Sequence, residues 1–197
     1  RAVPADNPLW PRAAWTLTID AIDRNDDAAR DSLMALLHAR SSMQWIADLD
    51  TIAIAFTLGQ RGQFDSAMAL TRRIHRIPRE AEAGLRGPFV RAMVYLSRGE
   101  WRRRAGDAAR ADSEWVWHEN NDMAGKPEGE PDQGEIDAAL SAVARLLRAE
   151  NLPALDRYPE ACAMLKRVNE LWRDAESSMQ PLQARVANGR RVACRGR

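Results

Sequence analysis

The stretches "DDAARDSLMALL" (26–37) and "GDAARADSEWVW" (106–117) both write D-A-A-R ahead of an amphipathic run, eighty positions apart. A chain that restarts a helix in the same way at such a distance must repeat the helix pair that the restart closes. The periodicity around them is helical. Trp45, Leu49, Ile52 and Phe56 fall on one face, as do Ile136, Leu140, Val143 and Leu147. Tyr158, Ala161, Leu165, Val168 and Trp172 make another stripe, and Met179, Leu182 and Val186 a last one. Strand signals are sparse, with few valine or threonine alternations and no Asn-Gly hairpin cue. Pro78, Gly87-Pro88 and Pro153 separate the runs, whereas Pro159 and Pro181 fall at first-turn positions that a helix tolerates.

Aligned on these breaks, Asp26, Gly62, Gly106 and Asp156 each mark a turn between two helices, with spacings of 36, 44 and 50 residues. Ala28, Phe64, Ala108 and Tyr158 follow two positions later, and alanine recurs at Ala67, Ala111 and Ala161. Small side chains there let two helices approach closely. The pattern predicts an all-α chain of one domain over 1–197, with helix-turn-helix units at about 11–40, 44–78, 86–120 and 135–173. A capping helix is expected at about 177–190. The stretch 120–135, "NNDMAGKPEGEPDQGE", lacks a stripe and reads as a long acidic loop suited to docking.

The stretch "GQFDSAMALTRRIHRIP" (62–78) resembles the second half of a tetratricopeptide repeat: a turn glycine, an aromatic two on, alanine three later, proline near the end. Trp15 matches the tryptophan of that pattern's first helix. No unit carries the full pattern, and the periods exceed the usual thirty-four or so. The resemblance implies an α-solenoid of about four helix pairs plus the capping helix, with a concave surface that holds a peptide or protein. Carried through the aligned turns, it points to Thr16, Asp20, Phe56, Gln60, Glu100, Trp101, Arg103, Arg104 and Glu150 as partner-binding positions. The segments "GEWRRRAGDAARADSEWVWHENND" and "EIDAALSAVARLLRA" are also loosely similar to helical repeat tails of bacterial signalling proteins.

Chemistry has few candidates. His38, His75 and His118 stand singly, without the spacing of a metal site, and no phosphate loop or nucleophile elbow is written. No catalytic residue, metal or cofactor is therefore expected. Charged residues make up 29% of the chain but leave a net charge of +1, which gives no general pull toward nucleic acid or membrane. No apolar run approaches the eighteen or so residues of a spanning helix. The arginines of "RGEWRRR" (98–104) and of the tail (Arg185, Arg190, Arg191, Arg195, Arg197) read as solvated faces before they read as grips on an acidic partner. Of the seven tryptophans, Trp10, Trp15, Trp101, Trp115 and Trp117 are candidate interface anchors, most of them expected in the core.

The two cysteines are more informative. Cys162 lies early in the helix over 157–173, and the helix over 177–190 should fold back on it, which carries Cys194 toward Cys162. Two free thiols and a disulfide are both open at this level. A disulfide implies an oxidising, extracytoplasmic compartment, periplasmic or secreted. The chain opens on Arg1, as a processed mature form or a fragment would. The expected function is a non-catalytic protein–protein interaction scaffold, an accessory or structural subunit bound to a larger complex, at a membrane or away from one. The alternative is a regulatory or ligand-sensing domain of a bacterial signalling protein, although a small-molecule ligand is not expected.

Overall fold

A computed structural model describes residues 10–40, 46–72, 89–120 and 131–195. Among them lie nine α-helices and no strand: α1 (Trp10–Asp23), α2 (Asp27–Arg40), α3 (Ile46–Gln60), α4 (Phe64–Thr71), α5 (Phe89–Arg104), α6 (Ala108–Asn120), α7 (Pro131–Asn151), α8 (Tyr158–Leu171) and α9 (Gln180–Ala193). A 3-10 turn, Leu152–Leu155, joins α7 to α8, and another, Ser177–Met179, leads into α9. The chain resolves into two compact units, Arg1–Ser97 and Arg98–Arg197, where the sequence drew one domain. The boundary falls within α5.

Four helix pairs close on the same left-handed turn, which in the fourth follows the 3-10 stretch Leu152–Leu155. Asn25, Gly62, Gly106 and Asp156 take left-handed backbone, with φ of 56°, 79°, 83° and 58°. Each donates its N–H three residues back, to Ile22, Gly59, Arg103 and Pro153. The next residue (Asp26, Gln63, Asp107 or Arg157) donates five back, to Ala21, Leu58, Arg102 and Leu152. These bonds satisfy carbonyls that a helix end leaves open. The residue after the left-handed one also starts the next helix, because its carbonyl accepts from Arg30, Ala67, Ala111 or Ala161. In two pairs its side chain caps that helix as well: Asp26 Oδ1 accepts from Ala29 N–H at 3.0 Å, and Asp107 Oδ1 from Arg110 N–H at 3.1 Å. Each such cap is worth about 1 kcal/mol.

This geometry shifts the first turn by one residue. The aligned partner of Gly62, Gly106 and Asp156 is Asn25 rather than Asp26, and the second helix of the pair starts at Asp27 rather than Ala28. The literal D-A-A-R identity is therefore one position out of phase. Arg30 takes the place held elsewhere by Ala67, Ala111 and Ala161, which are fully buried. Asparagine and aspartate tolerate the left-handed region but are strained there, and glycine is not. A Cβ at Gly62 or Gly106 would meet nothing within 4 Å, so backbone strain alone decides the effect of a substitution. Thermal denaturation should show Gly106→Ala destabilising by about 1 kcal/mol and Asp156→Gly stabilising by a few tenths to about 1 kcal/mol.

In the N-terminal unit α1 packs on α2 and α3, and α3 on α4. Trp15, Ile22, Leu37, Leu49, Ile52 and Phe56 are buried there, and the Trp15 and Phe56 rings lie 6.4 Å apart. In the C-terminal unit α7 packs between α6 and α8, and α9 closes on α8. The core of α7–α9 is built from Leu146, Leu152, Leu165, Val168, Trp172 and Val186, with Ala142, Ala149, Ala161 and Ala193 between them. Because α7 is covered on two sides, its expected stripe of Leu140, Val143 and Leu147 lies at the half-buried edge, and Ala142, Leu146 and Ala149 occupy the centre. The helix also begins at Pro131, so the last five residues of the expected loop, 131–135, are helical. Proline fits a first helical position, where its missing N–H has no helical partner to lose. The rest of that loop, 121–130, lies outside the described residues.

Close approach of α5 and α6 depends on Gly99. A Cβ there would sit 2.3 Å from Nε1 of the fully buried Trp115. Gly99→Ala forces the indole or the helix to move, and should cost about 1–3 kcal/mol by chemical denaturation despite alanine's better helix propensity.

Candidate functional site

The partner-binding positions expected from sequence fall in both units and have different fates. In the N-terminal unit Thr16 is exposed on α1, and Asp20 pairs with Arg24 at 2.9 Å. Gln60 donates its Nε2–H to Asp23 O at 3.2 Å, tying the end of α3 to the end of α1. Partial burial and the neighbouring Asp20 push the Asp23 carboxyl above its ordinary range. Phe56 does not line a surface: it is only 6% exposed, against Trp15. Trp101 is likewise core, at 5% exposure. Both corrections have one cause, since a large aromatic side chain is worth more in the core than in water.

In the C-terminal unit three of these positions come together. Glu100 and Arg103 on α5 form a two-pronged pair, with Arg103 Nε and Nη2 donating to Glu100 at 2.9 and 2.7 Å. Glu150 at the end of α7 receives the same grip from Arg185 on α9, at 2.9 and 2.6 Å. The two forks feel each other. Arg103 is held more firmly protonated than usual, first by its bond to Glu100, with Glu150 adding to it. Arg185 is raised likewise, chiefly by its bond to Glu150 and further by Glu100. Arg104 stands exposed just beyond, at the end of α5. The result is a half-exposed patch of two guanidinium and two carboxylate groups drawn from three helices. Arg185 had read only as part of a basic tail; its spacing from Glu150 in the sequence gives no hint of the pairing.

Two other ion networks, unforeseen from sequence, lie deeper. Arg148 donates to Asp112 at 2.5 Å, Glu119 at 2.6 Å and Glu160 at 2.8 Å. Arg157 reaches Asp112 at 2.6 Å and forks onto Glu160. Arg98 and Arg102 both donate to Glu114 Oε1, at 2.8 and 2.9 Å. Two arginines of the basic run at 98–104 therefore turn inward onto α6. The only sequence signal for these networks is charge inside an inward row: Ser141, Ala144, Arg148 and Asn151 are all buried on α7.

Cys162 and Cys194 are joined by a disulfide, with Cα atoms 5.0 Å apart, which ties the end of α9 to the start of α8. His38 Nε2 lies 2.7 Å from Asp50 Oδ2, and His118 is buried with its ring edge-on to Trp117. His75 lies outside the described residues. Among the described residues no group of three or more potential ligands converges for a metal ion, and no helix is long and apolar enough to cross a membrane. A cleft of ≈ 490 Å³ opens between α2 and α3, with Met34, Ala53, Ile54 and Leu58 inside and charged residues at its ends.

Comparison with protein-family models, curated proteins and solved structures finds no match.

Proposed function

We propose that this chain is a non-catalytic interaction scaffold of tetratricopeptide-like helix pairs, an accessory subunit held in a larger assembly outside the cytoplasm. The observation that carries the reading is the patch of Glu100, Arg103, Glu150 and Arg185. It is half-exposed, and its donors and acceptors are arranged in two bidentate forks. Alternating fixed charges recognise a partner by register, rewarding opposite charge and rejecting like charge. The patch is poorly suited to proton transfer, because its cations are arginines pushed further above a range in which they could release a proton. The left-handed turn that recurs in four helix pairs supports the repeat reading, since each restarts a helix by one local geometry. The disulfide supports the compartment, because such bonds persist where thiols are not kept reduced.

The test is isolation of the native protein under mild, low-salt conditions with identification of what accompanies it. A stoichiometric protein partner is expected, released by raised salt and by the double reversal Arg103→Glu with Arg185→Glu. A control at the exposed Leu171 (Leu171→Ser) should leave it bound. Turnover by the purified chain, abolished by changing one or two residues, would overturn the reading; so would a partner indifferent to the charge reversal.

A further inference from the structure

The outward stripe of α3 reads Asp50, Ile54, Leu58 and, one residue past the helix end, Arg61, whose N–H still donates to Thr57 O; at steps of four, four and three residues they lie on one face. It forms one wall of the cleft between α2 and α3, and Met34 and Arg30 stand on the other. Its centre is apolar and open: the Ile54 side chain is 54% exposed, although isoleucine is among the residues most often buried. Its ends carry opposite charge. Asp50, at 39% side-chain exposure and in contact with His38 Nε2 at 2.7 Å, is acidic, and Arg61, at 47%, is basic. The basic end is braced, because Asp27 bonds both Arg61 at 2.6 Å and Arg30 at 2.7 Å, so its shape is set before anything binds.

An order of acid, apolar, base along one helix face is its own complement when the face is turned end for end. Asp50 and Arg61 are eleven residues apart, about 16 Å at 1.5 Å per residue. A twofold axis crossing α3 midway between them sets Asp50 of one copy against Arg61 of the other, twice, and brings Ile54 and Leu58 of the two copies together about the centre. We propose that a second copy of this chain occupies the cleft, giving a symmetric antiparallel dimer through α2 and α3. The net charge of +1 offers no long-range repulsion to oppose it. The inference is independent of the partner-binding reading above, which concerns α5, α7 and α9.

The test is the mass of the full chain in solution by sedimentation equilibrium at micromolar concentrations. Twice the 22.1 kDa chain mass is expected. Asp50→Arg sets like charges opposite one another at two places, and Arg61→Asp does the same; each should weaken association by at least about tenfold. Combining the two restores opposite charge and should return the dimer. Circular dichroism of each variant checks that it folds. Independently, Ile54→Cys should be joined into a covalent dimer by a short bis-maleimide, and Leu171→Cys, exposed in the other unit, should not. A wild-type chain that stays monomeric leaves the cleft to the helix of a different protein and overturns the proposal. Failure of the double reversal to restore association overturns it too, as does equal cross-linking at the two cysteine positions.

Discussion

Arg148→Met should destabilise the chain by about 3–5 kcal/mol, the largest effect of any single replacement of a charged residue here. The guanidinium is only 7% exposed and sends its donors to three carboxylates, Asp112 and Glu119 on α6 and Glu160 on α8. Desolvation opposes its charge, but the bonds to Asp112 and Glu119 outweigh that and keep it more firmly protonated than usual. Methionine preserves the stem and removes the charge. Asp112 and Glu160 then share Arg157 alone, and Glu119 loses its partner in the network. Three carboxylates, Asp112 among them only 12% exposed, are then left to a single guanidinium, which is why the cost exceeds that of an exposed pair. Lysine should recover part of it, since a single ammonium cannot serve three carboxylates in a fixed plane. Scanning calorimetry should record a fall in melting temperature of about 10 °C or more for Arg148→Met, and a smaller fall for Arg148→Lys. Replacing Asp112 by asparagine in the methionine variant should return part of the loss.

Opening the disulfide should have the second largest effect. The bond closes a loop with a sequence separation of 32, for which restriction of the unfolded chain amounts to about 3–4 kcal/mol. Cys162→Ser, Cys194→Ser and the double variant should lose the same amount, because any one of them abolishes the bond. The free-energy difference between oxidised and reduced chains in urea measures it. The consequence is local as well as global. The middle of α9 keeps its seat through Val186 and through Gly189, whose backbone lies close to Leu165. Its last turn, at Ala193 and Cys194, is the part that the bond pins, so amide exchange should rise there first.

Much of this architecture is legible in the sequence because it is written in local terms. A glycine at 62 or 106 between two amphipathic runs specifies a left-handed residue, and the hydrogen bonds of the turn follow from that one choice. Asn25 is less legible. It stands beside two aspartates, and either aspartate could have begun the next helix. Letter identity favoured Asp27, whereas the backbone uses Asp26 as the cap. The cysteine pairing could be anticipated from two antiparallel helices joined by a short turn, although not its occurrence. The buried charge was hidden for a different reason. Arg148 looks like any helical arginine until α6 and α8 bring carboxylates from 36 and 12 positions away. Arg185 and Glu150 are separated in the same way, by 35 positions. Phe56 and Trp101 misled because the groove was projected from spacing alone, without the neighbours that cover those faces.

If the patch built by α5, α7 and α9 holds another protein, as proposed, hydrogen-exchange footprinting of the purified complex against the free chain locates the contact. Exchange should slow at 98–104, 147–151 and 182–188, with little change on α4. Protection confined to other segments, with these three exchanging as in the free chain, would contradict it.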